Sequence, residues 1–415
     1  MTPASEPAGL PARRAALRLL DAVLHRGETL EQAGGATRGL AHDDRALALA
    51  IASEALRWLP DLDALIDSAT REPLPADAKP RSVLRLMLAQ ALRLGTPPHA
   101  VVATALPLLR GGPRRLAHGV FATLLRRNAA LPAAPSLTAA VAERWGDRAG
   151  AIARGLAEPP PLDLTLKHPE RDTTVWVEQR GARTFMPGHV RLPRGTPIAE
   201  VPGFDEGDWW VQDLAAGLPA RLLEAKPGDE ILDLCAAPGG KTMQLAAGRV
   251  AVTSLDISAK RLDILRRNLA RTKLAASAIV CADALTWEPG QRFDAILLDA
   301  PCTATGTARR HPDVLHRIGE RQILEMADLQ ARLVGRACRW LKPGGRLVYA
   351  VCSLEPEECE ERAVRIPLGP DPIRAEELPE WLPPTPEGWL RTDPGILAER
   401  GGMDGFFIAR FVNSM

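Results

Sequence analysis

The sequence predicts a multidomain chain in which an all-α helical bundle is followed by an α/β domain with a doubly wound sheet. Apolar residues recur at helical spacing from Pro11 to Asn128, with almost no β-branched or aromatic run among them. From Trp209 onward, short apolar runs alternate with helical stretches, as in βαβ units. A Gly-rich turn, Asp233 to Thr242, follows an early run of this series, where an open parallel sheet binds its ligands.

Composition divides the chain into four predicted segments. Residues 1–130 form the helical bundle, and residues 131–161, rich in Ala and Pro, form a helical linker. Residues 162–211 form a small α+β unit, because β-type runs such as Thr173–Val177 alternate there with Pro and Gly. Residues 212–415 form the α/β domain.

Periodicity also predicts the elements of the α/β domain. Runs of apolar and β-branched residues predict strands at Glu230–Leu234, Val250–Leu255, Ala278–Cys281, Asp294–Leu298, Arg346–Val351 and Phe406–Phe411. Helical spacing predicts helices at Ala259–Arg271, Glu320–Leu341 and Pro356–Arg365. Alternation at this spacing implies a sheet whose ligands lie at the carboxyl ends of the strands.

The charge is unevenly distributed, although the formal net charge is only +1. No Asp or Glu occurs from Ala78 to Ala142, where the basic residues are Lys79, Arg81, Arg85, Arg93, Arg110, Arg114, Arg115, Arg126 and Arg127. A patch of one sign suits a polyanion such as RNA, which Arg114, Arg115, Arg126 and Arg127 would contact through its phosphates. The alternative is a solvated helix face with no ligand.

The cysteines indicate neither a structural metal nor a disulfide framework. The six cysteines contain no Cys-x-x-Cys pair with partners at zinc spacing. No leader with basic, apolar and small-residue parts opens the chain, and no apolar run is long enough to span a bilayer. We therefore expect a metal-free monomer in the reducing cytoplasm, with free thiols.

The Gly-rich turn is typical of a nucleoside site. A phosphate loop would need Gly five residues before Gly240, where Cys235 stands, and the Gly-x-Gly-x-x-Gly dinucleotide fingerprint is absent. Two glycines nevertheless let the backbone approach a ligand, and Met243 to Ala247 is predicted to begin a helix facing it. A nucleoside turn without a diphosphate cradle points to S-adenosylmethionine.

Three carboxylates follow the predicted strands that line this crevice. Asp256 ends the second strand, where an acid accepts hydrogen bonds from ribose hydroxyls; the alternative is a cap for the helix Ala259–Arg271. Asp283 follows the third strand and would bind an adenine amino group or cap a turn. Asp299 ends the fourth strand, between cofactor and substrate.

Two thiols follow neighbouring predicted strands, Cys302 after Pro301 and Cys352 at the end of the fifth strand. Methylation of carbon 5 of a pyrimidine needs a thiolate to add at carbon 6, and then a base to remove the carbon 5 proton. Two cysteines beside a sulfonium cofactor suit those two tasks, but their positions do not choose between the roles. The remaining thiols, Cys235, Cys281, Cys338 and Cys359, are interpreted as packing residues or as chance occurrences.

Six stretches together resemble the Sun/Fmu family of RNA cytosine-5 methyltransferases. They are Asp233–Thr242, Asp299–Gly306, Arg309–Asp313, Leu341–Gly345, Tyr349–Glu358 and Asp404–Arg410. In the helical part, Pro98–Val101 and Phe121–Arg127 resemble signatures of the antiterminator NusB. A NusB-like domain joined to this catalytic domain is similar to a family member that modifies a cytosine of small-subunit ribosomal RNA.

The resemblance implies a Rossmann-like S-adenosylmethionine-dependent methyltransferase and gives its residues roles. The cofactor would be held by Cys235, Ala236, Ala237, Pro238, Gly239, Gly240, Lys241, Asp256, Asp283 and Asp299. Asp299 and Lys241 would also contact the cytosine, which must be unstacked from the RNA to reach the thiol. The family uses the later thiol, so Cys352 is assigned as nucleophile and Cys302 to proton removal and release.

The sequence departs from the family pattern without losing a catalytic group. Thr303–Gly306 reads Thr-Ala-Thr-Gly where Ser-Gly-Thr-Gly is usual, and Val351 replaces a Thr before the nucleophile. Cys359 stands where Asn is usual, and His316 where Trp is usual. These changes affect the lining of the loops and the preference for substrate.

Three rival functions remain at this stage. The first is the same chemistry on transfer RNA or another RNA. The second is a DNA cytosine methyltransferase, whose nucleophile would be Cys302; Cys352 and the NusB-like part argue against it. The third is a non-catalytic RNA-binding assembly factor, against which the intact set of Asp233, Lys241, Asp299, Cys302 and Cys352 argues.

Overall fold

The structure, a computed structural model, describes residues 8–414, apart from the side chains of residues 170–172 and 179–180. Its contacts divide the chain into two compact units. The first, the helical unit, runs to Glu158 and also includes Ala308–Ile318. The second, the sheet unit, comprises Pro159–Thr307 and the chain from Gly319 onward.

The elements are numbered in chain order. The α-helices are α1 Leu10–Arg26, α2 His42–Arg57, α3 Leu59–Ser68, α4 Lys79–Leu92, α5 Pro98–Ala105, α6 Gly111–Arg126, α7 Ala139–Trp145, α8 Ala149–Leu156, α9 Pro169–Arg180, α10 Leu218–Leu222, α11 Gly240–Ala247, α12 Ala259–Thr272, α13 Val314–Arg317, α14 Glu320–Trp340 and α15 Glu360–Ala363. The strands are β1 Leu162–Leu166, β2 His189–Leu192, β3 Trp209–Val211, β4 Glu230–Leu234, β5 Ala251–Asp256, β6 Ala278–Cys281, β7 Phe293–Asp299, β8 Leu341–Val351, β9 Gly369–Pro370, β10 Leu390–Arg391 and β11 Phe407–Val412.

The helical unit is organised around one apolar core. Helices α1, α2, α4 and α6 contribute buried Leu, Ala and Val side chains, with Trp58 and Phe121 among its largest members. Alanines at the contact faces let the helices approach closely, and the leucines fill the space between them. The prediction of an all-helical amino-terminal part is confirmed.

A short excursion of the chain, Ala308–Ile318, completes the helical unit. The buried guanidinium of Arg57 donates to the carbonyl oxygens of Arg309 at 2.9 Å and Leu156 at 2.8 Å. The ring Nε2 of His316 lies 2.7 Å from Leu56 O, and burial lowers the pKa of His316. His316 therefore belongs to the packing of the helical unit.

The first part of the sheet unit is a small antiparallel sheet in the order β2–β1–β3, accompanied by α9. The prediction of a β-type run at Thr173–Val177 is wrong, because this stretch lies inside α9. Pro169 occupies the first turn of that helix and Gly181 ends it in the left-handed region, at φ 62°. Start and stop signals at both ends outweighed the strand preference of Thr and Val.

The main sheet follows the order β10–β11–β8–β7–β4–β5–β6. Strands β8, β7, β4, β5 and β6 are parallel, and β11 is antiparallel to β8. The chain runs outward from β4 to β6 and then returns to β7 on the other side of β4. The strand order therefore reverses between β4 and β7, and the doubly wound fold is confirmed.

Two of the elements predicted from periodicity in the α/β domain differ from the structure by more than one residue at an end. Strand β8 begins at Leu341, earlier than the predicted Arg346. The predicted helix Pro356–Arg365 is reduced to Glu360–Ala363. One reason is that the hydroxyl of Tyr349 donates to the carbonyl oxygen of Glu358 at 2.6 Å, so a tertiary bond takes an acceptor that a longer helix would use.

Candidate active site

The turn after β4 is shaped by backbone conformations that its small residues permit. Cys235 lies in the left-handed region at φ 65°, and Ala236 N donates to Leu255 O at 3.0 Å. Gly239 has φ 107°, and a Cβ there would lie 2.9 Å from Leu265 Cγ. The glycine therefore meets both a backbone and a packing requirement. Helix α11 begins immediately afterwards, at Gly240.

Asp256, at the end of β5, stabilises this turn through hydrogen bonds. Its Oδ2 accepts from Ala237 N at 3.1 Å, and its Oδ1 accepts from Ser258 N at 2.9 Å. The cap of α12 is Ser258, whose hydroxyl accepts from Arg261 N at 3.3 Å, so the capping alternative for Asp256 is wrong. The ribose role stays a prediction, and it is compatible with the several acceptor positions of a carboxylate.

Asp233 is a fully buried carboxylate directly before the turn. Its Oδ2 accepts from the Thr242 hydroxyl at 2.5 Å, while Oδ1 has no hydrogen-bond partner in the described part of the chain. Burial raises the pKa of Asp233 to about 7, against the opposing hydrogen bond from Thr242. An unpartnered buried acceptor beside a glycine cradle fits a site that receives a donor from a bound nucleoside or amino acid.

Asp283 lies farther along the same edge of the sheet, after β6. Its side chain is exposed, and its Oδ1 accepts from Leu285 N at 2.9 Å. The carboxylate thus caps a local turn, and the adenine contact stays a prediction. Ile257, next to Asp256, is 69% exposed, which is unusual for a large apolar side chain and marks a residue that the sequence analysis missed.

Lys241 and Asp299 form an ion pair at the mouth of the crevice. Lys241 Nζ donates to Asp299 Oδ2 at 2.7 Å and lies 5.3 Å from the ring centroid of Phe406. The Lys241 side chain is 10% exposed and that of Asp299 is 30% exposed. The pair joins the first turn of α11 to the end of β7, on the two sides of the switch point. Phe406 is a second residue that the sequence analysis missed.

The two thiols that the sequence singles out are in contact. Cys302 Sγ and Cys352 Sγ lie 3.5 Å apart, and both side chains are partly buried. Their strands, β7 and β8, are parallel neighbours, and Ala300 N donates to Ala350 O at 2.9 Å where they end. Gly306 N donates to Cys352 O at 3.0 Å, so the loop after Cys302 folds back onto the other cysteine.

Contact with Cys352 affects the pKa of Cys302. The hydrogen bond with Cys352, followed by burial and the charge of Cys352, raises the pKa of Cys302 well above its usual value. The carboxylate of Glu358 acts in the same direction. Cys302 is therefore protonated in the resting protein. Among the other cysteines, Cys359 is buried, whereas Cys281 is exposed and does not serve as a packing residue.

Part of the arginine-rich segment is internal to the helical unit. Asp63 accepts from Arg85 through two bonds of 2.8 Å and lies 3.0 Å from Arg81. Arg93 pairs with Glu54 at 3.1 Å and with Glu158 at 2.5 Å. The prediction that the whole segment forms one basic patch is therefore wrong, because acids from outside the segment neutralise these three arginines.

The remaining arginines of the segment are exposed. Arg114 and Arg115 lie in the first turns of α6, and Arg126 and Arg127 lie at its end. Arg126 and Arg127 donate to nearby oxygen atoms of the helical unit. The same unit contains a groove that the sequence did not predict, because its charged lining residues come from separate elements. They are Arg14, Arg18, Asp21, Lys79 and Arg110.

Neither a metal-type cluster nor a membrane-spanning helix occurs among the described residues. No cluster of three or more His, Cys, Asp or Glu side chains in this part of the chain has the arrangement of a metal site. No helix among residues 8–414 is both long enough and apolar enough to cross a membrane.

The doubly wound sheet and the nucleoside-type turn at its switch point define a Rossmann-like, S-adenosylmethionine-dependent methyltransferase. The profile of the family described as 16S rRNA methyltransferase RsmB/F matches residues 220–412, and that of the NusB family matches residues 10–117. The chain belongs to the RsmB/F family of ribosomal RNA methyltransferases. The predicted family, enzyme class and cofactor are thereby confirmed.

Two relatives are similar to this chain over most of their length. The chain is 35% identical to the ribosomal RNA small subunit methyltransferase B of Xylella fastidiosa, over 98% of this chain and 99% of the relative. It is 36% identical to the protein of that name from Xanthomonas campestris, over 84% of this chain and 85% of the relative. The solved structure of a methyltransferase homolog protein from Pyrococcus horikoshii is 27% identical, with a TM-score of 0.54, over 70% of this chain and 98% of that one.

Proposed function

We propose that this protein methylates carbon 5 of a cytosine in small-subunit ribosomal RNA, through a covalent bond between Cys352 and carbon 6 of the base. The observation that carries the proposal is the thiol pair, with Cys302 Sγ and Cys352 Sγ 3.5 Å apart at the ends of adjacent strands. The Lys241–Asp299 pair belongs to the same carboxyl edge of the sheet, at the end of β7.

The chemistry requires a nucleophile because carbon 5 of cytosine is a poor nucleophile by itself. Addition of the Cys352 thiolate to carbon 6 places an electron pair on carbon 5, while Asp299 hydrogen-bonds the base near N3 and its amino group. S-adenosylmethionine, when bound, supplies the methyl group. Cys302 first releases its own proton to solvent and, as a thiolate, takes the carbon 5 proton. The electron pair of that C–H bond restores the ring double bond as Cys352 leaves as a thiolate.

The raised pKa of Cys302 favours this division of roles. Cys302 is protonated in the resting protein, because its contact with Cys352 raises its pKa. A thiol that stays protonated is the poorer nucleophile. Once Cys352 is bonded to carbon 6 it no longer carries charge, and a main cause of the raised pKa disappears. A larger fraction of Cys302 is then the thiolate, which is the form that can take the carbon 5 proton.

Residues around the turn would hold the cofactor. The backbone from Cys235 to Gly240 would accommodate its amino-acid part, and Asp256, followed by the exposed Ile257, would bind the nucleoside. Asp233 supplies a buried acceptor in the same place. Asp283 is the weakest member of the proposed set, since its side chain is exposed and already caps a turn.

Exposed cations of the helical unit would contact RNA phosphates. Arg114 and Arg115 lie at the amino-terminal end of α6, where backbone N–H groups also favour anions. The groove lined by Arg14, Arg18 and Lys79 adds further positive charge in the same unit. The substrate preference for small-subunit rather than transfer RNA is proposed from the names of the relatives.

Trapping the covalent intermediate tests the proposal. Cys302→Ala should still attack and methylate, and then stall as a protein–RNA adduct that survives denaturing electrophoresis. Cys352→Ala should bind RNA and cofactor but form neither adduct nor product. Mass spectrometry of the trapped adduct should place the bond on Cys352. The opposite pattern, with an adduct only in Cys352→Ala, would assign the nucleophile to Cys302 instead.

The substrate is tested separately. Bisulfite sequencing of ribosomal RNA from cells with and without the protein should reveal one cytosine whose protection depends on it. Incubation with naked small-subunit RNA and with a transfer RNA pool should give methyl incorporation in the first only. Incorporation only into transfer RNA would contradict the proposed substrate and leave the thiol assignment intact.

A further inference from the structure

A fully buried carboxylate, Glu358, lies just beyond the Cys352 segment. Its Oε1 accepts from Thr303 N at 2.9 Å and from Gln330 Nε2 at 3.0 Å. Its Oε2 accepts from the Thr303 hydroxyl at 2.5 Å and from the Ser353 hydroxyl. None of these bonds, in the described part of the chain, goes to a thiol.

The partners of Glu358 directly follow the two cysteines. Thr303 is the residue after Cys302, and Ser353 is the residue after Cys352. One carboxylate thus joins the two segments that carry the thiol pair. The hydroxyls of Thr303 and Ser353 also lie 3.3 Å from each other, which closes the connection between the segments.

A second side chain extends the connection to the other side of Cys302. Gln330, on α14, donates to Pro301 O at 3.0 Å as well as to Glu358. The Tyr349 hydroxyl, which donates to Glu358 O, also lies 3.1 Å from Gln330 Oε1. The loop is therefore held both before and after Cys302, and Gln330, Tyr349 and Glu358 are all fully buried.

Packing alone does not account for a carboxylate at this position. Burial raises the pKa of Glu358, against the hydrogen bonds from Ser353 and Thr303, so the charged form is stabilised only while those donors stay in place. An apolar side chain would fill the volume without that desolvation cost. The acid instead fixes the relative placement of several donors at once.

We propose that Glu358 is a positioning residue that sets the spacing of the Cys302–Cys352 pair by tying their two loops to one buried carboxylate. The inference rests on the proposed roles of the thiols. It extends them by identifying what holds the sulfur atoms 3.5 Å apart, close enough to act on adjacent carbons of one ring. A displacement of about 1 Å at such a site costs roughly 100-fold in rate.

Disulfide formation reports the spacing without any methyl transfer. Diamide accepts two electrons and two protons from a pair of nearby thiols, which become a disulfide. In the full-length wild-type protein, the Cys302–Cys352 bridge should form rapidly and be identified by peptide mass mapping. In Glu358→Ala its rate should fall by about tenfold or more, since the loops separate, and kcat should fall by about 100-fold at unchanged KM for the cofactor.

Two further variants control for stability and for removal of the whole side chain. Glu377→Gln weakens another carboxylate pair of the sheet unit, with Arg410 at 2.6 Å, and should leave the bridging rate and kcat unchanged. Glu358→Gln keeps an acceptor oxygen for Thr303 N and Gln330 and should give intermediate values. If Glu358→Ala fails to bind cofactor, Glu358→Gln is used for the test in its place. Alkylation of Cys352 by a maleimide corrects for any change in thiol reactivity.

The outcomes separate the two proposals. Wild-type bridging and kcat in both Glu358 variants would overturn the positioning role. Slower bridging in Glu358→Ala, together with full methylation by Cys352→Ala, would support the positioning role and reject the covalent role of Cys352. Equal losses in Glu358→Ala and Glu377→Gln would show a general stability effect and overturn the inference.

Discussion

The cofactor turn and the arginine-rich segment were both predicted as ligand sites, but they differ in how the fold treats them. In the turn, Asp233–Thr242, Ala237 N binds Asp256 and Lys241 binds Asp299, so consecutive residues meet the carboxylates expected beside them. In the segment, Arg81 and Arg85 turn inward to Asp63. Backbone geometry at a strand end is local, whereas neutralisation of a charge depends on residues elsewhere in the chain.

The largest expected effect concerns Asp299, which pairs with Lys241 of the cofactor turn. Asp299→Asn should lower the single-turnover methylation rate by about 100- to 10,000-fold. The reason is that the cytosine loses its charged hydrogen-bond partner and Lys241 loses its ion pair. Asp283→Asn removes the same charge from an exposed position on the same sheet edge and should change the rate less than about threefold. Similar losses in both variants would mean that the crevice responds to net charge alone.

The internal arginines should matter for stability. Asp63→Ala leaves two buried guanidinium groups without this partner and should lower the free energy of unfolding by about 3 kcal/mol. Arg114→Ala removes an exposed charge and should change it by less than about 0.5 kcal/mol. Urea denaturation followed by circular dichroism measures both. Equal changes in the free energy of unfolding would show that internal and surface arginines contribute alike to stability.

The buried acid before the turn should make stability depend on pH. Folded Asp233 keeps its proton up to about pH 7, whereas an unfolded Asp releases it near pH 4. Between those values the unfolded state binds fewer protons, so stability should fall as pH rises, by up to about 1.4 kcal/mol per unit. Asp233→Asn should flatten this decline in ligand-free protein. A parallel decline in both proteins would mean that Asp233 ionises normally.

The smallest expected effect concerns the exposed arginines. The double variant Arg114→Glu, Arg115→Glu should weaken RNA binding by about tenfold and reduce its salt slope by about one to two, with cofactor affinity unchanged. The same reversal at Arg321 and Arg332, exposed on α14, provides the control. If both charge reversals weaken RNA binding equally, or if neither weakens it, Arg114 and Arg115 make no dedicated contacts with RNA phosphates.

The sequence predicted what local rules determine. The two strands Glu230–Leu234 and Ala278–Cys281 agree with the structure to the residue, because turn residues bound each apolar run. The thiol pair was predicted at neighbouring strand ends, and its contact follows from the parallel pairing of β7 and β8. The roles of the site residues remain predictions.

Other features depend on tertiary contacts that periodicity does not report. The stretch Thr173–Val177 became helical between Pro169 and Gly181, against its own strand preference. Glu358 ends one of the six stretches that resemble the family, but only the folded chain brings Thr303 and Gln330 to it. Arg81 likewise meets Asp63 through the packing of α3 on α4.

The excursion at Ala308–Ile318 gives the helical unit an unusual order of assembly. Arg57 and its acceptor Arg309 O are separated by 252 residues. Protein synthesis proceeds at about 5–20 residues per second, so roughly 13–50 seconds pass on the ribosome between the two. The helices of the amino-terminal part can associate during that interval, but the unit closes only after most of the sheet unit has emerged. During synthesis, the helical unit can therefore be completed only after the distant segment Ala308–Ile318 has been made.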